Sequence, residues 1–120
     1  MTRWKKFGLL ITPQANLWWM QSHGMLPTPI FLKDDIWRVY FSGRDKKNQS
    51  HIGYADVNIV SKKVVKYSKE PVLSPGELGC FDDSGVTPSC LVSNGDKLRM
   101  YYIGWKQRSS VRMGLIAGLA

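Results

Sequence analysis

The residues best suited to chemistry are two adjacent carboxylates in Gly79-Cys80-Phe81-Asp82-Asp83-Ser84-Gly85-Val86-Thr87-Pro88-Ser89. Asp, Ser and Gly together read as a turn, because Asp and Ser side chains cap nearby backbone N–H groups and Gly tolerates positive φ. An apolar, extended run follows with Val86, Cys90, Leu91 and Val92. A carboxylate pair at the mouth of a buried strand is costly unless a partner or a reaction uses it. Asp82 and Asp83 are therefore the leading candidates for acid–base or nucleophilic work.

Two copies of one pattern must position them. Thr28-Pro29 matches Thr87-Pro88 at an offset of 59, which sets His23 opposite Asp82. Further on the offset becomes 61: Arg38 to Gly43 matches Arg99 to Gly104, and Ile52-Gly53-Tyr54 matches Met113-Gly114-Leu115. A repeat of this kind marks an array whose units cannot bury their faces alone.

Each copy reads strand, turn, strand, loop, strand. In the first, residues 27–32 and 36–42 are extended around a tip at Asp34-Asp35, and Trp37, Val39 and Phe41 alternate with Ile36, Arg38 and Tyr40. Apolar residues on both faces predict a strand packed between neighbouring sheets. A polar loop over 43–50 precedes a strand over 51–57, and 64–67 supplies an outer strand. In the second copy, Asn94-Gly95 predicts a tight type I′ hairpin. Strands over 98–103 and 111–119 flank a loop over 104–110. No helix is predicted, and units of about 60 residues favour propeller blades over a sandwich.

Composition bounds the rest. The 120 residues are 43% hydrophobic and 22% charged, which excludes disorder by composition, and no run approaches a membrane span. Arg3, Lys5 and Lys6 before residues 7–11 begin like a signal peptide, but Pro13, Gln14 and Asn16 interrupt it. Cytoplasm is the expected location. Cys80 and Cys90 make neither a disulfide framework nor a CxxC site and are expected to be half-buried; with two histidines, no metal or cofactor site is expected. The formal charge of +8 is scattered, Lys62, Lys63, Lys66 and Lys69 crowd one connector, and no nucleic-acid-binding signature accompanies them. Nucleic-acid and membrane partners are not expected.

The sequence resembles the N-terminal blades of five-bladed β-propeller glycosidase-like proteins, related to the β-xylosidase, arabinanase and fructosidase propellers and the mannoside phosphorylases. The resemblance runs from His23 onward, through Pro27, Tyr40 to Asp45, Ser50 to Gly53, Pro71-Val72-Leu73, Gly79 to Pro88 and Tyr101 to Trp105. It implies an all-β, partial five-bladed propeller of about two four-stranded antiparallel blades in a single incomplete domain. Residues 1–22 would be a lead-in, 23–78 the first blade and 79–120 an incomplete second blade. Two blades cannot close a ring, so a longer protein or a shortened product is expected, with open blade edges that favour self-association.

The resemblance also implies a carbohydrate substrate in a central funnel. Asp82 or Asp83 would be catalytic, and His23, Arg44 and Asp45 would lie near the substrate; Trp105, which follows Gly104 at a strand end, is by its own chemistry a candidate sugar platform. Glycoside hydrolysis ordinarily uses two carboxyl groups about 5 to 9.5 Å apart. Glu70 and Glu77 are the only glutamates and neither falls on an inner strand, so the isolated 120-residue chain is expected to be inactive. Structural roles compete throughout. Asp82 and Asp83 can cap the turn through the N–H groups of Gly85 and Val86, His23 can be a polar loop-end residue, Arg44-Asp45 a local ion pair, and Trp37 and Trp105 core. The functions in play are a glycoside hydrolase or phosphorylase in its complete form, a noncatalytic sugar-binding or scaffolding propeller, and an inactive truncated product.

Overall fold

The computed structural model describes residues 2–120. Seven strands form: β1 (Ser22–Lys33), β2 (Ile36–Arg44), β3 (Ser50–Asn58), β4 (Lys63–Tyr67), β5 (Gly85–Asn94), β6 (Lys97–Gln107) and β7 (Met113–Leu119). The all-β class is as expected, and among the described residues there is no helix.

The blades are not. The strands join in one open, mixed sheet of order β1-β2-β3-β5-β6-β7, with β4 branching from β3. The partial five-bladed propeller, and with it the resemblance to the glycosidase-like propeller family, is thus corrected to an open seven-stranded sheet, with four strands in its first antiparallel ladder and three in its second. The junction is a single parallel pair, Ser50↔Gly85. Gly85 permits it: at φ +152° it brings its backbone so close that an added Cβ would lie 3.2 Å from the Ser50 N. Here the absence of a side chain lets two backbones meet.

The strand pattern explains two cores. Residues 39, 41, 55 and 57 lie on one face of β2 and β3, where Phe41, Ala55 and Val57 pack with Trp19 and Met20 of the lead-in. The opposite face presents Tyr40 and Ile52 to Val86, Leu91, Met100 and Tyr102 of the second ladder. The first ladder is therefore covered on both sides, but not between two sheets as its doubly apolar strand predicts: an irregular segment covers one side and the second ladder the other. Trp19 is the anchor of the lead-in. Its ring is fully buried, its Nε1 donates to the Ser68 carbonyl at 3.3 Å, and it lies against Phe41 with ring centroids 5.5 Å apart.

Register overturns the details of the repeat. The hairpin tips correspond at 61, since Lys33↔Ile36 in one ladder matches Asn94↔Lys97 in the other. At the far end Ser22 pairs with Arg44 while Gly85 pairs with Trp105, so the first strands correspond at 63 there. Irregularities in β1 and β5 absorb the drift, as bulges do by adding a residue to one strand only. Thr28, opposite Tyr40, corresponds to Cys90, opposite Tyr101, and not to Thr87. The third strands shift the other way: Arg44↔Ser50 matches Trp105↔Leu115, so Gly53 corresponds to Gly118 rather than to Gly114. The second hairpin also turns one residue later than expected. Gly95 and Asp96 are its central pair, and only Gly95 has positive φ, 62°, which is the pattern of a II′ rather than a I′ turn.

Candidate functional site

The turn over 81–84 forms where Asp-Asp-Ser-Gly predicts one, but its two carboxylates are held differently. Asp82 is buried and accepts a hydrogen bond from the Tyr102 hydroxyl at 3.0 Å on Oδ2. Burial, reinforced by the adjacent Asp82 carboxylate, pushes the Tyr102 phenol up to about 12. Gly76 and Gly104 floor and roof Asp82: a Cβ on Gly76 would lie 2.4 Å from its Oδ1, and one on Gly104 2.6 Å from its Cβ.

Asp83 clips the loop to the sheet. Its Oδ2 accepts from the Gly79 N–H at 2.9 Å and from Lys106 Nζ at 3.1 Å, and its Oδ1 accepts from the Ser84 hydroxyl at 3.0 Å. These donors, the Gly79 N–H foremost, hold its carboxyl below the ordinary value. Lys106 Nζ also donates to the carbonyls of Gly79 and Cys80, at 2.7 and 2.8 Å. Capping by Gly85 and Val86 N–H groups, expected from the turn, is replaced: the Gly85 N–H goes to the Asp82 carbonyl at 3.2 Å.

His23 does not meet Asp82. It is exposed at the start of β1 with φ 63°, and its Nδ1 lies 2.8 Å from the Ser22 hydroxyl. In register it corresponds to Val86. The counterpart of Asp82 is Trp19, because the Gln21 N–H donates to the Arg44 carbonyl as the Ser84 N–H donates to that of Trp105. The glycines agree. A Cβ on Gly43 would strike Met20 and the Trp19 carbonyl, whereas one on Gly104 strikes Phe81 and Asp82.

Arg44 and Asp45 part company as well. Asp45 turns into its loop, where Oδ1 accepts from the N–H groups of Lys47 and Gln49, both at 2.9 Å. Its Oδ2 lies 3.1 Å from His51 Nε2, whose Nδ1 is 3.1 Å from the Ser74 hydroxyl. Burial pushes the Asp45 carboxyl up, but the Gln49 N–H, His51 and the Lys47 N–H outweigh it and leave the group lowered. His51 is itself buried, edge-on to Trp18 at 4.9 Å.

Arg44 instead faces the other ladder. With Asn48, Ser84, Trp105, Arg112 and Met113 it lines a cavity of about 370 Å³ at the end of β2 and β6, beside the Ser50↔Gly85 junction. Two of the expected site residues, Arg44 and Trp105, are brought together there; His23, Asp45, Asp82 and Asp83 do not line it. Trp105 Nε1 donates to the Thr87 hydroxyl at 3.0 Å, so the ring's polar edge is tied back to β5. Arg44 Nη1 donates to Asn48 Oδ1 at 3.0 Å, while its buried Nε has no partner among the described residues.

Sequence reasoning missed Arg112, Asn48 and Ser84, which lie in loops or turns whose approach depends on the junction. It also passed over Trp19, although an indole before a strand is a strong anchor signal. Cys80 and Cys90, expected to be half-buried, are both exposed and unpaired, because neither lies on a face that meets a core. Among the described residues no group of His, Cys, Asp and Glu has metal-ligand geometry, and no helix is long and apolar enough to cross a membrane.

No family model matches the chain. It is similar to two curated relatives from Mycobacterium tuberculosis, the uncharacterized proteins MT1551 of strain CDC 1551 / Oshkosh and Rv1502 of strain ATCC 25618 / H37Rv. Each is 41% identical over 118 residues, 98% of this chain, and the chain spans 40% of each relative's length. Neither finding carries the expected glycosidase-like propeller family.

Proposed function

We propose that this chain contributes a carbohydrate-binding pocket to a carbohydrate-handling protein, with the cavity between its two ladders as the site. The observation that carries the reading is the lining of that cavity: an indole, two guanidinium groups, an amide and a hydroxyl around about 370 Å³. Ligand pockets commonly begin at about 300 Å³ and combine apolar or aromatic walls with a few fixed polar groups. With its N–H edge held by Thr87, Trp105 has ring carbon surface to offer a sugar, while Arg44, Asn48, Ser84 and Arg112 supply hydrogen bonds. The unpaired cysteines fit the cytoplasm expected from the sequence.

The test is retention of glycans by the full chain on a glycan array, repeated with Trp105→Ala. Binding should be lost in the variant with the thermal midpoint nearly kept. If the parent chain retains no glycan, the reading fails.

A second reading is acid–base chemistry on glycosidic bonds by Asp82 in the longer polypeptide, favoured by its burial beside the Tyr102 hydroxyl. Asp82→Asn would then lower the rate by about a hundredfold or more. An unchanged rate on aryl glycosides would leave Asp82 a structural group.

A further inference from the structure

We infer that the cavity selects a sugar bearing an anionic group, a uronic carboxylate or a phosphate ester, held by Arg44 and Arg112. This rests on the carbohydrate reading above. The first ground is the charge of the lining, which has two guanidinium groups and no carboxylate. The acidic side chains adjacent in sequence to the lining residues are already engaged, Asp83 by Lys106, Gly79 and Ser84 and Asp45 by His51 and its own loop. The cavity lining itself therefore carries two positive charges and no negative one.

The second ground is the contrast with Arg38, which shows how this chain treats a structural arginine. Arg38 Nε and Nη2 donate to both oxygens of Asp56, at 2.8 and 3.0 Å, and its guanidinium stacks 3.8 Å from the Tyr54 ring centroid. Arg44 has only a neutral amide on Nη1, and its buried Nε donates to nothing. Arg112, an exposed residue of the lining, has neither an ion pair nor a side-chain hydrogen bond among the described residues. Neither cavity guanidinium is neutralised by a carboxylate, and a guanidinium fork matches the paired oxygens of carboxylate or phosphate. An anionic substituent would accept from the guanidinium groups of Arg44 and Arg112 that line the cavity while Trp105 meets the ring.

Titration of the full chain with sodium D-glucuronate, glucose phosphate, methyl glucoside and sodium phosphate, followed by calorimetry and the Trp105 indole N–H resonance, tests this. Glucuronate and glucose phosphate should bind at least about tenfold more tightly than methyl glucoside, and weaken as ionic strength rises. Arg44→Met, which keeps the aliphatic stem, and the exposed Arg112→Ala should each weaken the charged sugars by about tenfold or more. Unfolding midpoints verify that both variants fold. Methyl glucoside binding as tightly as glucuronate would overturn the charge selection and leave the carbohydrate reading standing. Phosphate alone binding as well as either charged sugar would overturn both, as would no binding by any probe. Unchanged affinity in both variants would remove the site from this cavity.

Discussion

The two ladders share a backbone plan and fill it with opposite chemistry. Where the lead-in enters the first, Trp19 and Met20 are fully buried against Gly43, Gly53, Phe41 and Ala55, an apolar plug with one indole hydrogen bond. Where the connector enters the second, Asp82 takes the place of Trp19, with Phe81 beside it against Gly104, and a buried carboxylate bonded to Tyr102 replaces the indole. Glycine recurs on the facing strand because either filler must come closer to the sheet than any side chain would allow. The plug contributes by removing apolar surface from water, whereas the carboxylate must first recover its desolvation cost through hydrogen bonds. Stability is thus expected to concentrate in the first ladder, with the polar, ligand-suited surface at the second and at the junction.

The sharpest way to break this comparison is Trp19→Ala. It should cost about 3 to 5 kcal/mol, as for other buried large aromatic truncations, and is measured by urea denaturation. A loss below about 1 kcal/mol, within the range of surface substitutions or little above it, would show that the plug is not the anchor.

Gly53→Ala comes next. Its Cβ would lie 2.3 Å from the Trp19 ring, in a position enclosed by the Ser68 hydroxyl at 2.8 Å, and overpacking of this kind costs about 1 to 3 kcal/mol. Gly118→Ala, its register counterpart, would meet Tyr102 at 2.4 Å, but on the end strand of the sheet, where the neighbour can yield. The second substitution should cost less than the first, and equal losses would contradict the asymmetry.

Tyr102→Phe and Asp82→Asn probe the polar filler. Tyr102→Phe leaves the buried carboxylate without its donor and should cost about 1 to 3 kcal/mol. Asp82→Asn retains an acceptor for the hydroxyl and should cost less, with chemical denaturation again the readout. The reverse order would mean that Asp82 draws its support from elsewhere.

The last effect is one of pH. The Tyr102 phenol is raised from 10.0 to about 12 in the fold, so the folded state holds this proton more tightly than the unfolded chain. Its contribution is present in full below about pH 10 and is lost as pH rises toward about 12. Thermal midpoints across that window should fall less steeply in Tyr102→Phe than in the parent. Parallel profiles would show that the hydroxyl is not the group responsible.

What the sequence determined alone is local. The alternation of residues 36–41 sets a strand with two apolar faces, Asp34-Asp35 and the Gly95 region turn the chain, and Asp82 to Gly85 ends a loop before a strand. These follow from φ preferences and side-chain period, which need no distant partner. What only the tertiary structure decided is which of those pieces correspond and meet. Sequence matching set His23 against Asp82 because Thr-Pro recurs, but bulges in β1 and β5 shift the register and put Trp19 there instead. An inserted residue leaves no mark in composition, yet it moves every residue beyond it along the partner strand. The propeller expectation failed for a related reason: Gly85 lets β5 join β3 at Ser50, so the two ladders become one sheet. That same close approach builds the cavity from Arg44, Trp105 and Arg112, residues on separate strands and loops that no spacing rule relates.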